Sequence, residues 1–160
     1  MIRRLAIFLM ALALLTGGLA VYQAFNEELT VTGTGVSASD AAETPDTYDA
    51  WTRAIAHRQF LGLTYGQEAR GVDESRFVTY TLRLKNNGLL PADAVEMQLM
   101  SDAGDVAAFQ SPEKLSIGPG EEKTLSMTLL TRTGTGLRRD VLVTFYVWGR
   151  HHAMRYTMTQ

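Results

Sequence analysis

The 160-residue chain contains no cysteine, only four prolines and only three histidines. Without cysteine there is no disulfide, no thiolate nucleophile, no cysteine-held zinc and no lipid-modified cysteine. Stability must come from a hydrophobic core. His57 stands alone, while the adjacent pair His151 and His152 would point to opposite sides of a strand, which is poor chelating geometry. Charge of one sign is also scarce: the formal net charge is −2, so the total carries no signal for nucleic acid. No nucleophile-elbow sequence and no Asn-x-Ser/Thr sequon occurs. TGTG at 32–35 and again at 133–136 belongs to no longer glycine pattern, so it does not indicate phosphate binding. From these gaps we expect no catalytic residue, no cofactor and no metal site.

One long apolar run is present. Leu5 to Phe25 carries no charge, and about 20 helical residues cross the hydrocarbon layer. Arg3 and Arg4 precede the run and Glu27 and Glu28 follow it, which favours a cytoplasmic N-terminus with the remainder outside. Gly18-Leu19-Ala20 offers small residues for a signal peptidase, so a cleaved signal peptide is the rival reading. The division expected is residues 1–25 as signal anchor or signal peptide, 26–43 as spacer, and 44–160 as the folded body. LTVTGTGVSAS within residues 26–43 could form a short strand or an extended stalk, and because its Thr, Gly, Ser and Ala bury little a spacer is the reading taken.

The body opens with a helix signal. Thr44 suits an N-cap and Pro45 the first helical position. Tyr48, Trp51 and Ile55 then fall on one stripe. From Phe60 onward the period changes to two. Val78, Tyr80, Leu82 and Leu84 alternate with polar residues, as do Val95, Met97 and Leu99, and Leu125, Met127 and Leu129. Asn86-Asn87-Gly88 and Pro91 sit between the first two runs and read as a corner whose residues tolerate positive φ. The pattern predicts a mainly β fold: an antiparallel immunoglobulin-like sandwich of seven or eight strands, with one short packed helix.

YTLRLKNNGLLPADAVEMQL followed by LSIGPGEEKTLSMTLL resembles the bacterial immunoglobulin-like domains of the cell-adhesion-related (CARDB-like) type. In those domains a strand ends in Asn-x-Gly and a Pro-Gly-Glu turn opens a later strand. The likeness covers about Phe77 to Leu130. It implies an extracytoplasmic, non-catalytic adhesive or spacer module, with no catalytic residues to transfer. The leading helix is not part of the simple domain.

VLVTFYVWG has two apolar faces: Val141, Val143, Phe145 and Val147 on one, Leu142, Tyr146 and Trp148 on the other. A strand with one wet face should not look like this. The helix stripe is expected to cover the second face. Left open, Tyr146 and Trp148 would form an aromatic platform. Residues 131–160 carry Arg132, Arg138, Arg139, Arg150 and Arg155 against Asp140 alone, while residues 26–75 are net acidic. The two segments either neutralise each other or leave an outer basic patch for wall polymer or lipid headgroups. The candidate binding surface is therefore Tyr146, Trp148, Arg138, Arg139, Arg150 and Arg155.

The function expected is a non-catalytic interaction or scaffolding module of the bacterial envelope, held by membrane lipid around residues 5–25, with an envelope protein as partner and no nucleic acid. The location expected is the cell membrane, single-pass with the C-terminal domain outside, or secreted after signal cleavage. A carbohydrate or anionic wall-polymer module is the second reading, and a cryptic hydrolase whose triad assembles only in space is the third.

Overall fold

The computed structural model describes residues 2–25, 29–112 and 114–159. Helix α1 (Ile2–Phe25) contains a stretch, Arg3–Tyr22, long and apolar enough to cross a membrane, and none of that stretch is buried. The body is an antiparallel immunoglobulin-like β-sandwich. Its elements are β1 (Leu29–Asp40), α2 (Pro45–Ala56), β2 (Leu63–Thr64), β3 (Ser75–Asn86), β4 (Ala92–Leu99), β5 (Asp105–Ser111), β6 (Leu115–Ile117), β7 (Glu122–Arg132), β8 (Arg139–Val147) and β9 (Arg150–Met158). One sheet has the order β1-β3-β7-β5-β2 and the other β6-β4-β8-β9.

The alternation read from the sequence builds the interior. Val78, Tyr80, Leu82 and Leu84 of β3 and Leu125, Met127 and Leu129 of β7 line one wall. Val95, Met97 and Leu99 of β4 and Val141, Val143, Phe145 and Val147 of β8 line the other. All are buried.

Residues 29–40 are not a spacer. They form β1, which pairs along β3 from Leu29↔Asn86 to Asp40↔Arg76, with a register shift between Val31 and Gly33. Small polar residues suffice there because backbone hydrogen bonds hold an edge strand, while Leu29, Val31 and Val36 reach the core. The end of the sandwich where β1 starts is called proximal below, and the end where β1 finishes and α2 begins is called distal. The remaining residues of the expected spacer lie outside the described segment (26–28) or in a short 3-10 turn at Ala41–Glu43. Where the period-two stretch begins, after Phe60, only the two residues of β2 are paired, Leu63 to Ala108 and Thr64 to Ala107.

Helix α2 packs on the other sheet from the one expected. Tyr48, Trp51 and Ile55 meet Phe77, Val106, Ala107 and Leu130 on the outer face of β3, β7 and β5. The Trp51 ring lies 4.9 Å from Phe60 and 5.3 Å from Phe77. Phe77, Leu130 and Ala107 are register partners across three neighbouring strands, so they present one apolar patch. The outer face of β8 offers no such patch. Leu142 lies between Gln98 and Arg155, and Tyr146 lies between Asp93 and His151.

The proximal corner is held by a buried amide. Asn86 donates from Nδ2 to the carbonyls of Leu90 and Ile117, both at 2.8 Å, and its Oδ1 accepts from the Gly88 N–H at 2.8 Å. Among Asn86, Asn87 and Gly88 none has positive φ, so the amide's hydrogen bonds explain the corner where left-handed backbone was expected.

At the distal end a buried ion pair joins the sheets. Arg139 Nη2 of β8 donates to Asp105 Oδ1 of β5 at 3.1 Å, with both side chains almost wholly buried. Asp105 also accepts from Thr131 Oγ1 at 2.8 Å and from the Asp102 N–H at 2.7 Å. Arg139 Nη1 donates to the Gly136 carbonyl at 2.7 Å. Removing one partner strands a buried charge. Arg139→Met or Asp105→Leu is therefore expected to cost about 3–5 kcal/mol in denaturant unfolding, and the double variant much less than the sum.

Two tyrosines sit near this pair. Burial pushes the Tyr65 phenol above its usual value, Asp105 adds to the rise, and Arg139 opposes it. Burial likewise raises Tyr80, whose hydroxyl donates to the Leu137 carbonyl at 3.0 Å. A folded-state value above the unfolded one leaves stability intact below the unfolded value and removes it as pH rises beyond. Unfolding free energy should fall above pH 10, the ordinary phenol value. Tyr80→Phe, which also loses the bond to Leu137, should shrink that slope in alkaline denaturant titrations.

Candidate functional site

The six expected surface residues do not form one surface. Arg139 is the buried half of the ion pair just described and serves the fold. Its burial follows from Asp105, which no periodicity in the sequence links to it. Arg138 is exposed beside it at the distal end. Trp148 and Arg150 lie at the proximal end, where the β8–β9 turn follows Val147↔Arg150. The nine residues of β8 separate the two groups by about 30 Å. Tyr146 and Arg155 project from the outer face of the β4-β8-β9 sheet, Arg155 opposite Leu142. Among the described residues, no ion pair joins the basic 131–160 segment to the acidic 29–75 segment.

Tyr146 and Trp148 are open. Tyr146 is 45% exposed and meets the His151 ring edge-on at 5.4 Å. His152 faces the other way, stacked at 5.2 Å on Phe145. Trp148 is 82% exposed. It occupies the first position of a two-residue hairpin turn, with φ +50°, followed by Gly149 at φ +74°. Such turns favour Asn-Gly because both central residues are left-handed. A tryptophan is costly there, and its ring gains no burial in return.

A second surface was not anticipated. Strand β6 has only three residues, so it pairs with β4 at Ala92 and Val95 and leaves β4 beyond Val95 without a strand on that side. The uncovered stretch borders a groove of about 230 Å³ toward β2 and β5. Its floor includes Met97, Ala108 and Met127, and Leu61, Leu63 and Phe109 stand on its rim. Leu61 is 89% exposed. The Met97 N–H donates into the groove side, to Gln110 Oε1 at 2.6 Å. The signal in the sequence was the apolar FLGL at 60–63 before a short, unalternating segment.

Replacing Trp148 with the residue the turn prefers tests whether it serves the fold. Trp148→Asn is expected to raise stability by about 1 kcal/mol, read as a higher Tm.

No protein-family model matches the chain, and no curated protein sequence matches it. Solved structures that match include the yeast GGA1 GAE domain-P21, at 9% identity and TM-score 0.40, covering 59% of this chain and 95% of that one. A FixG-related protein from Vibrio parahaemolyticus matches at 11% identity and TM-score 0.35, covering 82% and 95%. The cupredoxin domain of amoB from Nitrosocaldus yellowstonii matches at 11% and 0.39, covering 81% and 86%. Likeness at these values carries no argument for a shared activity, and the narrower resemblance to CARDB-like domains has no family match behind it. What the chain can be said to be is an immunoglobulin-like β-sandwich preceded by an apolar helix.

Proposed function

We propose that the chain is a non-catalytic, single-pass membrane protein whose sandwich stands outside the cytoplasmic membrane of a bacterial-type cell and binds another envelope protein. The charge order around α1 supports this orientation: Arg3 and Arg4 before the apolar run, Glu27 and Glu28 after it. The single observation that carries the binding role is the groove. An 89%-exposed Leu61 stands beside a strand edge that no described strand of this chain covers. An extended apolar segment of a partner can add along β4 from Glu96 to Leu99, taking over the Met97 N–H from the Gln110 amide while its side chains meet Leu61, Leu63 and Phe109. A CARDB-like adhesive role is compatible with strand addition of this kind. The wall-polymer reading is weaker, because Arg139 is buried in an ion pair and Arg138 lies at the opposite end, which leaves Arg150 alone beside Trp148.

Site-specific photo-crosslinking in cells tests the role. A photoreactive residue at position 61 in the full chain should yield a discrete adduct with an envelope protein, and the same residue at Thr157 on β9 should not. Leu63→Asp should abolish the adduct without unfolding the domain, checked by its Tm. No protein adduct from position 61, or equal adducts from both positions, would overturn the binding role. Membrane fractionation with N-terminal sequencing tests the anchor separately: the full chain with Arg3 retained is expected in the membrane pellet.

A further inference from the structure

The proximal end of the sandwich has a chemistry of its own. Four segments meet there: the start of β1 at Leu29, the corner 86–91, the turn 118–121 and the hairpin turn 147–150. Hydrogen bonds bind the first three together. Asn87 Nδ2 donates to Thr30 Oγ1 at 2.9 Å, the Asn86 N–H to the Glu121 carbonyl at 2.9 Å, and the Gly120 N–H to the Asn86 carbonyl at 2.8 Å. Ala92 pairs with both Ile117 and Val147, which brings the hairpin turn to the same end.

This well-braced end holds two large apolar side chains out in solvent, Trp148 at 82% exposure and Leu89 at 53%. Folding does not account for either, and the turn would be better served by another residue at 148. Among the described residues, Arg150 and Lys85 at this end make no ion pair. Among the described residues the acids nearby are engaged. Glu121 faces Lys123 at 3.1 Å and accepts the Gly118 N–H, Glu122 faces Arg83 at 3.5 Å, and Asp93 accepts from Ser116 Oγ at 2.6 Å.

The covalent chain fixes what lies opposite. Only residues 26–28 separate the end of α1 at Phe25 from Leu29. Fully extended, that link spans about 14 Å. If α1 crosses the bilayer, the proximal end lies at headgroup level, and Trp148 and Leu89 are on the side toward the lipid. Tryptophan concentrates at that depth, and cations there meet lipid phosphates.

We propose that the proximal end of the sandwich rests on the outer leaflet, with Trp148 and Leu89 in the boundary between headgroups and acyl chains and Arg150 and Lys85 at lipid phosphates. This rests on the reading of α1 as a retained anchor. It makes the sandwich stand upright, with α2 and the buried ion pair far from the membrane and the groove facing sideways. Phe77, against which Trp51 packs, lies nine positions along β3 from Asn86 at the proximal end, a distance of about 30 Å. The two tryptophans therefore report on opposite ends.

The full chain is reconstituted into vesicles of phosphatidylethanolamine and phosphatidylglycerol containing dibrominated phosphatidylcholine, and tryptophan quenching is measured in two variants. In Trp51→Phe only Trp148 emits, and in Trp148→Phe only Trp51. Bromolipid should quench Trp148 several-fold more than Trp51. Weak, equal quenching in chains that float with the vesicles overturns the proposal while leaving the anchor standing. Chains that do not float overturn the anchor and the proposal with it. Should Trp51→Phe fail to fold, a photoreactive residue at position 148 serves instead: lipid adducts support the proposal, and protein adducts in their place overturn it.

Discussion

Strand β3 is the member on which the sandwich depends. It is hydrogen-bonded along its length to β1 on one side and to β7 on the other. Its inward residues Val78, Tyr80, Leu82 and Leu84 are fully buried, and its outward Phe77 is buried by α2. A strand covered on both edges and, at one end, on both faces leaves no group free to pair elsewhere. Of the elements N-terminal to it in the body, β1 pairs with β3 along its length and α2 packs in part on its Phe77.

The two ends of the sandwich are closed differently. The distal end is clamped by Arg139 and Asp105, a charge pair drawn from opposite sheets and shielded from water. Such a pair is weak as a source of stability but strict about geometry, because a misaligned sheet would leave a charge buried and alone. The proximal end is closed by neutral groups, chiefly the Asn86 amide and the backbone of the 118–121 turn. Apolar and basic side chains are left outward at that end. A firm scaffold that spends no interior contacts on Trp148 and Leu89 is what a surface-seeking end requires.

The groove beside β4 has a related origin. A three-residue β6 cannot cover an eight-residue β4. Gln110 meets one exposed amide, and β2 contributes only two paired residues on the facing sheet. Short edge strands ordinarily blunt a sheet against aggregation. Here the same shortness leaves an apolar rim next to a strand edge that no described strand covers, which is the combination that strand addition uses.

Local chemistry was enough to read much of this. The alternation in β3, β4 and β7 shows which residues are inward, because a strand buried on one face must repeat every two residues, whereas β8 is apolar on both faces and only the structure shows its Val141–Val147 face inside. Pro45 and the Tyr48-Trp51-Ile55 stripe mark α2 for the same kind of reason. For residues 29–40 the sequence left strand and stalk both open, because an edge strand is held by backbone bonds that any residue supplies, so Thr, Gly and Ser there also look like a tether. The sequence by itself determined the fold class, the apolar leader and the inner faces. Only the tertiary structure decided that α2 covers the β3-β7-β5 sheet, that Arg139 is a buried partner of Asp105, and that Trp148 shares an end with Leu29. Each depends on register between segments far apart in the chain, and that register is set by pairing and packing that no local pattern encodes.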